Sequence, residues 1–452
     1  ECTDCHGTHD IQPRGAAGSR LHAARQAETC GQCHEAEARD VQDSVHGRAL
    51  AAGKRDAPTC TDCHLEHKIE PLRGAPGARI SERVCSTCHA SERINARYRL
   101  PADRVKTFLG SYHGLASRLG STRAANCASC HGVHLILPAS DPRSSIHPNN
   151  LVHTCGHCHP GATQGFVAGR VHTDLGTGTD LGSVVNRWVR RIYLVLIVTT
   201  IGALATHNLL HWWRRATLTR RASLLFGEDR MDRNQRGQHL LLAVSFIVLA
   251  VSGFALKYPD SWAAWVLGSN ESIRRWSHRA AALVLVGLGV YHVLYVLLSA
   301  RGRALLRDLF PARRDVHELR AAVCYLTGRG PRVSATHRFG YVEKFEYWAV
   351  VWGTAIMGLT GFMLWFPVEV SRWLPRWVVD VALTIHYYEA ILACLAVLVW
   401  HFYHVIFDPD VYPLNWAFWT GRRLPPPPEA AGPPGPTPAA APPAASGPGK
   451  IS

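Results

Sequence analysis

Six times in this chain two cysteines stand three apart with a histidine directly behind the second. The motifs are Cys2-Thr-Asp-Cys5-His6, Cys30-Gly-Gln-Cys33-His34, Cys60-Thr-Asp-Cys63-His64, Cys85-Ser-Thr-Cys88-His89, Cys127-Ala-Ser-Cys130-His131 and Cys155-Gly-His-Cys158-His159. With 14 Cys and 26 His in 452 residues, composition alone would give roughly 0.03 copies. Two thiols at that spacing can form thioethers with the two vinyl groups of a haem, and the adjacent histidine supplies the proximal iron ligand. Zinc knuckles also combine CxxC with His, but zinc does not require the histidine at that position in every copy. The spacing therefore predicts six covalent c-type haems.

Each iron then needs a second axial ligand. Methionine is excluded, because Met231, Met357 and Met363 all lie outside the motif-bearing half. Histidine remains. Three motifs extend to CxxCHxxH and add His9, His67 and His134; the other three are followed by His46, His113 and His172. These six are the expected distal ligands, although the sequence does not say which serves which haem. They divide the region into three tandem two-haem units, near 1–58, 59–125 and 126–180. Bis-histidine ligation without methionine implies low potentials. With no iron position left open, the array suits electron transfer and not substrate chemistry.

The elements that position these groups fall into three regions. Residues 1–180 contain every CxxCH motif and 16 of the 26 histidines. They lack long apolar runs, so loops and short helices packed around haem are expected. Residues 181–423 are apolar stretches separated by Arg-rich loops. Residues 424–452 are Pro/Ala/Gly-rich, cannot bury a core, and are expected to be disordered. The start at Glu1, one residue before a motif and without an initiator Met or signal peptide, reads as processed or truncated. The expected fold class is all-α: a haem-packed, loop-rich domain followed by a five-helix transmembrane bundle.

Five stretches have spanning length, about 189–211, 239–257, 279–299, 347–366 and 380–406. Covalent haem attachment places residues 1–180 outside the cytoplasm, so the first helix runs inward. Charge tests this independently. The two predicted inner loops, 212–238 and 300–346, carry seventeen Lys and Arg, and the two outer connections carry five. The net charge of +15 thus reflects topology and gives no reason to expect nucleic-acid binding.

Histidines inside apolar helices are costly and mark function. His278 and His292 lie on the third helix, His386, His401 and His404 on the fifth, and His239 opens the second. Fourteen or fifteen residues of helix rise roughly 21–22 Å, enough to put one ligand near each membrane face. Two stacked b-type haems are expected. The outer one pairs His278 with His386; the inner one uses His401 with His239 or His292, and His404 is a rival on helical phase. His207 and His211, on the first helix, read as surface histidines at the inner boundary.

Four segments carry a resemblance: "RGQHLLLAVSFIVLAVSGFALKYPD", "IRRWSHRAAALVLVGLGVYHVLYVLL", "YVEKFEYWAVVWGTAIMGLTGFMLWFP" and "IHYYEAILACLAVLVWHFYHVIFDPDVYPLNW". Over about 230–420 the chain resembles the dihaem cytochrome b subunits of formate dehydrogenases and nickel-iron hydrogenases. It is still more similar to the b domains fused to multihaem cytochromes c in bacterial quinol:cytochrome c oxidoreductases. The resemblance implies a four-helix dihaem core with the first helix as an added anchor, and inner and outer ligands at His239, His278, His386 and His401. His292 resembles the fused subfamily and keeps the inner ligand open.

The resulting expectation is a bacterial inner-membrane protein with its haem c domain periplasmic and its C-terminal tail cytoplasmic. It would pass electrons between the (mena)quinone pool and a periplasmic cytochrome or other redox subunit. The alternative is a non-catalytic anchor and conduit subunit of a larger respiratory or photosynthetic complex. A more remote alternative is a membrane-anchored metal-binding module. The quinone site is expected at the inner face, where Glu343, Glu346 and Tyr347 open the fourth helix beside the inner histidines. A quinol sheds protons as it sheds electrons, so its site needs a proton acceptor there, and Glu346 is the best placed. The competing reading makes Glu343 and Glu346 interfacial charges paired with Arg236 or Lys344.

Overall fold

The computed structural model describes residues 1–67, 69, 74–118, 121, 124–169, 171–172, 178–217, 231–258, 261–268, 270–331, 338–409, 412 and 414–421. These fold as helices, turns and loops, with no strand among the described residues. The C-terminal tail at 424–452 and Arg220, Arg221, Arg230 and Arg332 of the inner loops lie outside them.

The motif-bearing region is built from single turns. Cys2–His6, Cys60–His64 and Cys127–His131 are five-residue helices, and Gly74–His89 ends on a fourth motif. In one helical turn the first Cys and the His stand at i and i+4, on the same face. Short helices need caps, and the sequence supplies them. The Thr59 N–H donates to Asp62 Oδ2 at 2.7 Å, and Ser129 N–H donates to Asn126 Oδ1 at 2.9 Å.

The distal helices share a local design. Ser44 Oγ accepts from Gly47 N–H at 3.1 Å, and Ser111 Oγ accepts from Gly114 N–H at 3.2 Å. Each serine caps the helix whose first turn carries His46 or His113. A Cβ on Gly47 would lie 2.0 Å from Val41 O, and one on Gly114 would lie 2.1 Å from Phe108 O. The Ser-x-His-Gly pattern thus encodes a sharp break between two helices, with glycine required by backbone contact.

Among the described residues, five helices are long and apolar enough to cross a membrane. They are α1 (Leu181–Thr217), α2 (Arg233–Lys257), α3 (Glu271–Leu298), α4 (Tyr341–Trp365) and α5 (Arg376–Ala396). The last continues as two π-helical turns, Val397–His401 and Tyr403–Phe407. α2 packs on α3, and α5 packs on both α1 and α4. Their outward faces are apolar and open, with Val198, Leu283 and Trp352 at 71%, 63% and 67% exposed. That is the surface a lipid phase covers. Asp232 caps α2 through Gln235 N–H at 2.8 Å, and the Glu343 carboxylate accepts from Gly340 N–H at 3.0 Å to start α4.

The motif-bearing region sits on the α4–α5 connection. The Arg376 guanidinium lies 5.9 Å from the Phe166 ring centroid, and Cβ atoms on Gly161 and Gly165 would meet Arg372 and Ser371 at 3.1 and 2.8 Å. This end of the bundle carries His278 and His386.

Candidate haem-binding sites

In the motif-bearing region, five pairs of histidine rings face each other. The pairs are His6 with His67, His46 with His89, His64 with His134, His113 with His159, and His131 with His172. Their ring centroids are 6.3, 6.3, 5.9, 6.1 and 6.3 Å apart. An iron held between two opposed imidazoles, with bonds of about 2 Å, sets ring centroids roughly 6 Å apart. Each pair joins one proximal histidine to one of the expected distal set, so the side chains fit bis-histidine haem. Among the described residues no group of three or more His, Cys, Asp or Glu forms a metal-ion cage.

The pairing crosses the unit boundaries. Only His131 and His172 belong to one unit; the other four pairs each join neighbouring units. The three units are therefore interlaced, and the region folds as one body. Ion pairs and backbone bonds reinforce the weave. Arg14 reaches Glu66 at 2.9 Å, and Val45 N–H donates to Ile136 O at 2.9 Å. Hydrogen bonds from Arg93 and Tyr98, at 2.9 Å each, hold the Asp56 carboxyl down at about 2.

An imidazole must be neutral to bind iron. Burial, then the neighbouring His89, lowers the pKa of His46 to about 4. Burial also lowers His89, His113, His131, His159 and His172.

Two further pairs lie in the bundle. His278 of α3 faces His386 of α5 with centroids 6.3 Å apart, and His239 of α2 faces His401 at 6.1 Å. The outer pair is oriented from its far nitrogens: His278 Nδ1 lies 2.9 Å from Ser252 Oγ, and His386 Nδ1 lies 2.9 Å from Thr360 Oγ1. This leaves both Nε2 atoms to face the gap between them. Glycine follows each hydroxyl residue. A Cβ on Gly253 would lie 3.2 Å from His278 Cε1, and one on Gly361 would lie 3.4 Å from His386 Cε1. Gly253→Val is expected to displace His278; with a b haem between His278 and His386 and covalent haem at the CxxCH motifs, extractable haem per covalent haem would then fall relative to the parent protein, and that ratio checks the assignment.

The inner histidines sort by contact. His292 does not face His401: its Nδ1 lies 2.7 Å from Gln238 Oε1 and its Nε2 3.0 Å from Tyr347 Oη. His404 turns to α1, with ring centroids 6.2 Å from His207 and 6.0 Å from His211. Nor are His207 and His211 surface histidines. His207 Nε2 lies 2.8 Å from Tyr341 Oη, and His211 Nδ1 lies 2.7 Å from Tyr403 Oη, so they seal α1 to α4 and α5.

The three acidic-end residues of α4 have different surroundings. Glu346 Oε1 lies 3.3 Å from His401 Nδ1. Tyr347 meets His292, and Glu343 caps its own helix. Lys344 is buried and donates to Asp315 at 2.8 and 3.0 Å, so it does not serve as the partner of Glu346. Sequence reasoning missed Glu389, a buried carboxyl on α5 three residues past His386 that hydrogen-bonds Tyr193. A lone acid inside "IHYYEAILACL" was the available signal.

A half-open cavity of about 3730 Å³ runs from the last two pairs of the motif-bearing region along the bundle pairs. It is lined by His131 and His159 above, by His278 and His386 at the outer end of the bundle, and by His239 and His401 below. Its length and apolar walls suit planar, apolar prosthetic groups set one beyond another.

No curated protein matches this chain. Residues 230–420, somewhat less than half of it, match the family model for prokaryotic cytochrome b561. With the five spanning helices, that match makes this an integral membrane protein whose segment from the start of α2 to just past α5 is similar to that family.

Proposed function

We propose that this chain carries electrons between a membrane quinone and redox partners outside the cytoplasm, through two b-type and six c-type haems. The observation that supports it most is that five CxxCH histidines each face an expected distal histidine, and that His278 faces His386 and His239 faces His401 along the cavity of the bundle, all with centroids 5.9–6.3 Å apart. Haem held in these pairs supplies one-electron chemistry at low potential. The protein's contribution is to orient the imidazoles and to exclude water from the path. Cys2, Cys5, Cys30, Cys33, Cys60, Cys63, Cys85, Cys88, Cys127, Cys130, Cys155 and Cys158 attach the c haems. His278 with His386, and His239 with His401, hold the b haems.

The quinone site lies beside His401 at the inner end of α2–α5. The polar groups that gather there are Glu346 on His401 and the Gln238–His292–Tyr347 chain. In this reading the protein is a quinol:cytochrome c-type oxidoreductase of a bacterial inner membrane, with residues 1–180 in the periplasm. If another subunit oxidises the quinol, the same wiring serves as a conduit, and a quinol oxidation assay on the isolated chain distinguishes the two.

Stoichiometry tests the whole reading. A pyridine haemochrome spectrum with acid-acetone extraction is expected to give six covalent and two extractable haems per chain. An extractable count of zero would remove the b-haem assignment, and a covalent count below six would mark a motif as vestigial.

A further inference from the structure

The interlaced pairing follows a rule of direction. The third residue after a proximal histidine reaches back to the first haem site of the preceding unit: His67 to His6, and His134 to His64. The Ser-x-His-Gly histidine reaches forward to the second haem site of the following unit: His46 to His89, and His113 to His159. At the last unit His172 serves His131, the site that a following unit would otherwise complete.

At the first unit the rule leaves two ends. His9 is the third residue after His6, so it should reach back, yet among the described residues it faces no proximal histidine. His34 is a second-site proximal histidine and should receive a forward-reaching partner, yet none of the described histidines faces it. Both are exposed, and His34 is the one exposed member of the six proximal histidines. Cys33 beside it is exposed as well. His9 Nδ1 lies 3.2 Å from Thr8 Oγ1, an orientation that leaves Nε2 for a metal.

The two ends are complementary: one offers a ligand and the other lacks one. On the reading that the six motifs carry haem, we propose that the exposed face of the first unit, through His9 and His34, docks a further two-haem unit of the same kind. That unit would lend a Ser-x-His-Gly-type histidine to the iron at His34 and take His9 as distal ligand for its own first-site iron. Each union exchanges iron-bound water for an imidazole nitrogen, with no electron transferred and no bond to carbon made. The unit would extend the haem path at the end farthest along the weave from the α4–α5 connection.

The experiment uses the 452-residue chain with all six covalent haems, oxidised, in detergent. One-sixth of its c haem is expected to be high-spin and to become low-spin on adding imidazole. An N-acetylated haem peptide with one CxxCH motif and one open axial position is the probe for His9. The chain is expected to turn it low-spin at one equivalent, and His9→Ala is expected to abolish that capture while leaving the chain's own spectrum unchanged. Six low-spin c haems in a monomer would overturn the proposal, as would a new high-spin haem in His9→Ala, which would make His9 the ligand at His34. A low-spin spectrum confined to a particle of twice the mass would assign the face to a second copy instead, and failure to capture the peptide would overturn the docking half. In protein taken from native membranes the His34 haem is expected to be low-spin. More than six covalent haems on the polypeptide would place the added unit in the same chain, and dissociation of a separate cytochrome with reappearance of the high-spin signal would place it on a partner. A covalent count below six is the separate failure of the haem reading itself.

Discussion

His46→Ala is expected to leave six covalent haems and to turn one of them high-spin, and that haem is the one at Cys85-Cys88-His89, not the one at Cys30-Cys33-His34 nearest in sequence. Attachment depends on the thiols and the proximal histidine, so haem content should persist. The distal bond depends on a ring carried by a different unit, 6.3 Å from His89 between centroids. The effect is large because His46 is the fourth haem's distal ligand in this arrangement and removal leaves that iron five-coordinate or water-bound. About one-sixth of the c-haem absorption should move, with a rise in that haem's potential as a strong donor is lost. Electron paramagnetic resonance of the oxidised protein reads the spin state. Assignment comes from combination: removing Cys85 and Cys88 together with His46 should erase the high-spin signal that His46→Ala adds to that of the parent chain, whereas removing Cys30 and Cys33 should leave the added signal. A spectrum in His46→Ala identical to the parent's would refute the cross-unit pairing. His113→Ala, by the same logic, should act on the haem at His159.

Much of this arrangement was legible in the sequence, and the remainder was hidden for identifiable reasons. The CxxCH spacing is a local code: one helical turn carries both the cysteines proposed to attach a haem and the histidine proposed to ligate it, so six motifs can be read directly. The spanning helices were legible because a lipid phase demands about 20 apolar residues in succession. Which distal ring meets which iron was not legible, because that depends on how units fold across one another, and nothing in a motif encodes direction. The break at Ser44 and Ser111, where glycine must follow the histidine, could have been read as a structural signal, but its partner could not.

The inner haem shows a second limit. Counting about 100° per residue from His386 brings His404 nearer the same helical face than His401. The structure replaces the regular helix with π-helical turns over Val397–His401 and Tyr403–Phe407, which advance the chain with less rotation per residue. Asn208 of α1 donates to Val399 O within that stretch, drawing the carbonyl out of the ladder. His401 thereby faces His239, and His404 faces α1. A tertiary contact from a helix some 190 positions earlier decides the phase, so no count along α5 could supply it. The paired segments Ser252-Gly253-Phe254 and Thr360-Gly361-Phe362, each set the same distance before an outer histidine, were by contrast readable as a repeat, and they place the hydroxyl that orients each ring.

Glu346→Gln is expected to slow haem reduction by menaquinol by about 10²-fold or more, the range typical for loss of a positioned proton acceptor. Haem content and reduction by dithionite should not change, because dithionite needs no proton acceptor at that place. Glu346 was expected from sequence as the carboxylate opening an apolar helix; its position gives it a second role. With Oε1 3.3 Å from His401 Nδ1, it is hydrogen-bonded to the far side of the ring proposed to hold the inner haem. A carboxylate there makes the imidazole a stronger donor, and protonating it weakens that donation. In the proposed function the two roles are linked: the group that would accept the quinol's proton would also sense the charge on the inner iron through the ring. The sign follows. The negative charge of Glu346 beside His401 favours the oxidised iron, so removing that charge should raise the inner potential. Glu346→Gln should therefore shift the inner potential upward, since glutamine keeps the shape and carries no negative charge. The outer haem, held by His278 and His386 with hydroxyl partners, should keep its potential in the variant and serves as the internal reference. Wild-type menaquinol kinetics together with an unaltered inner potential would reject both roles. Slow kinetics with an unaltered potential would keep the proton role and reject the coupling through His401. Tyr347→Phe separates Glu346 from the neighbouring polar chain: it removes the 3.0 Å contact to His292 and leaves the His401–Glu346 contact in place. It should therefore alter quinol kinetics without shifting the inner potential.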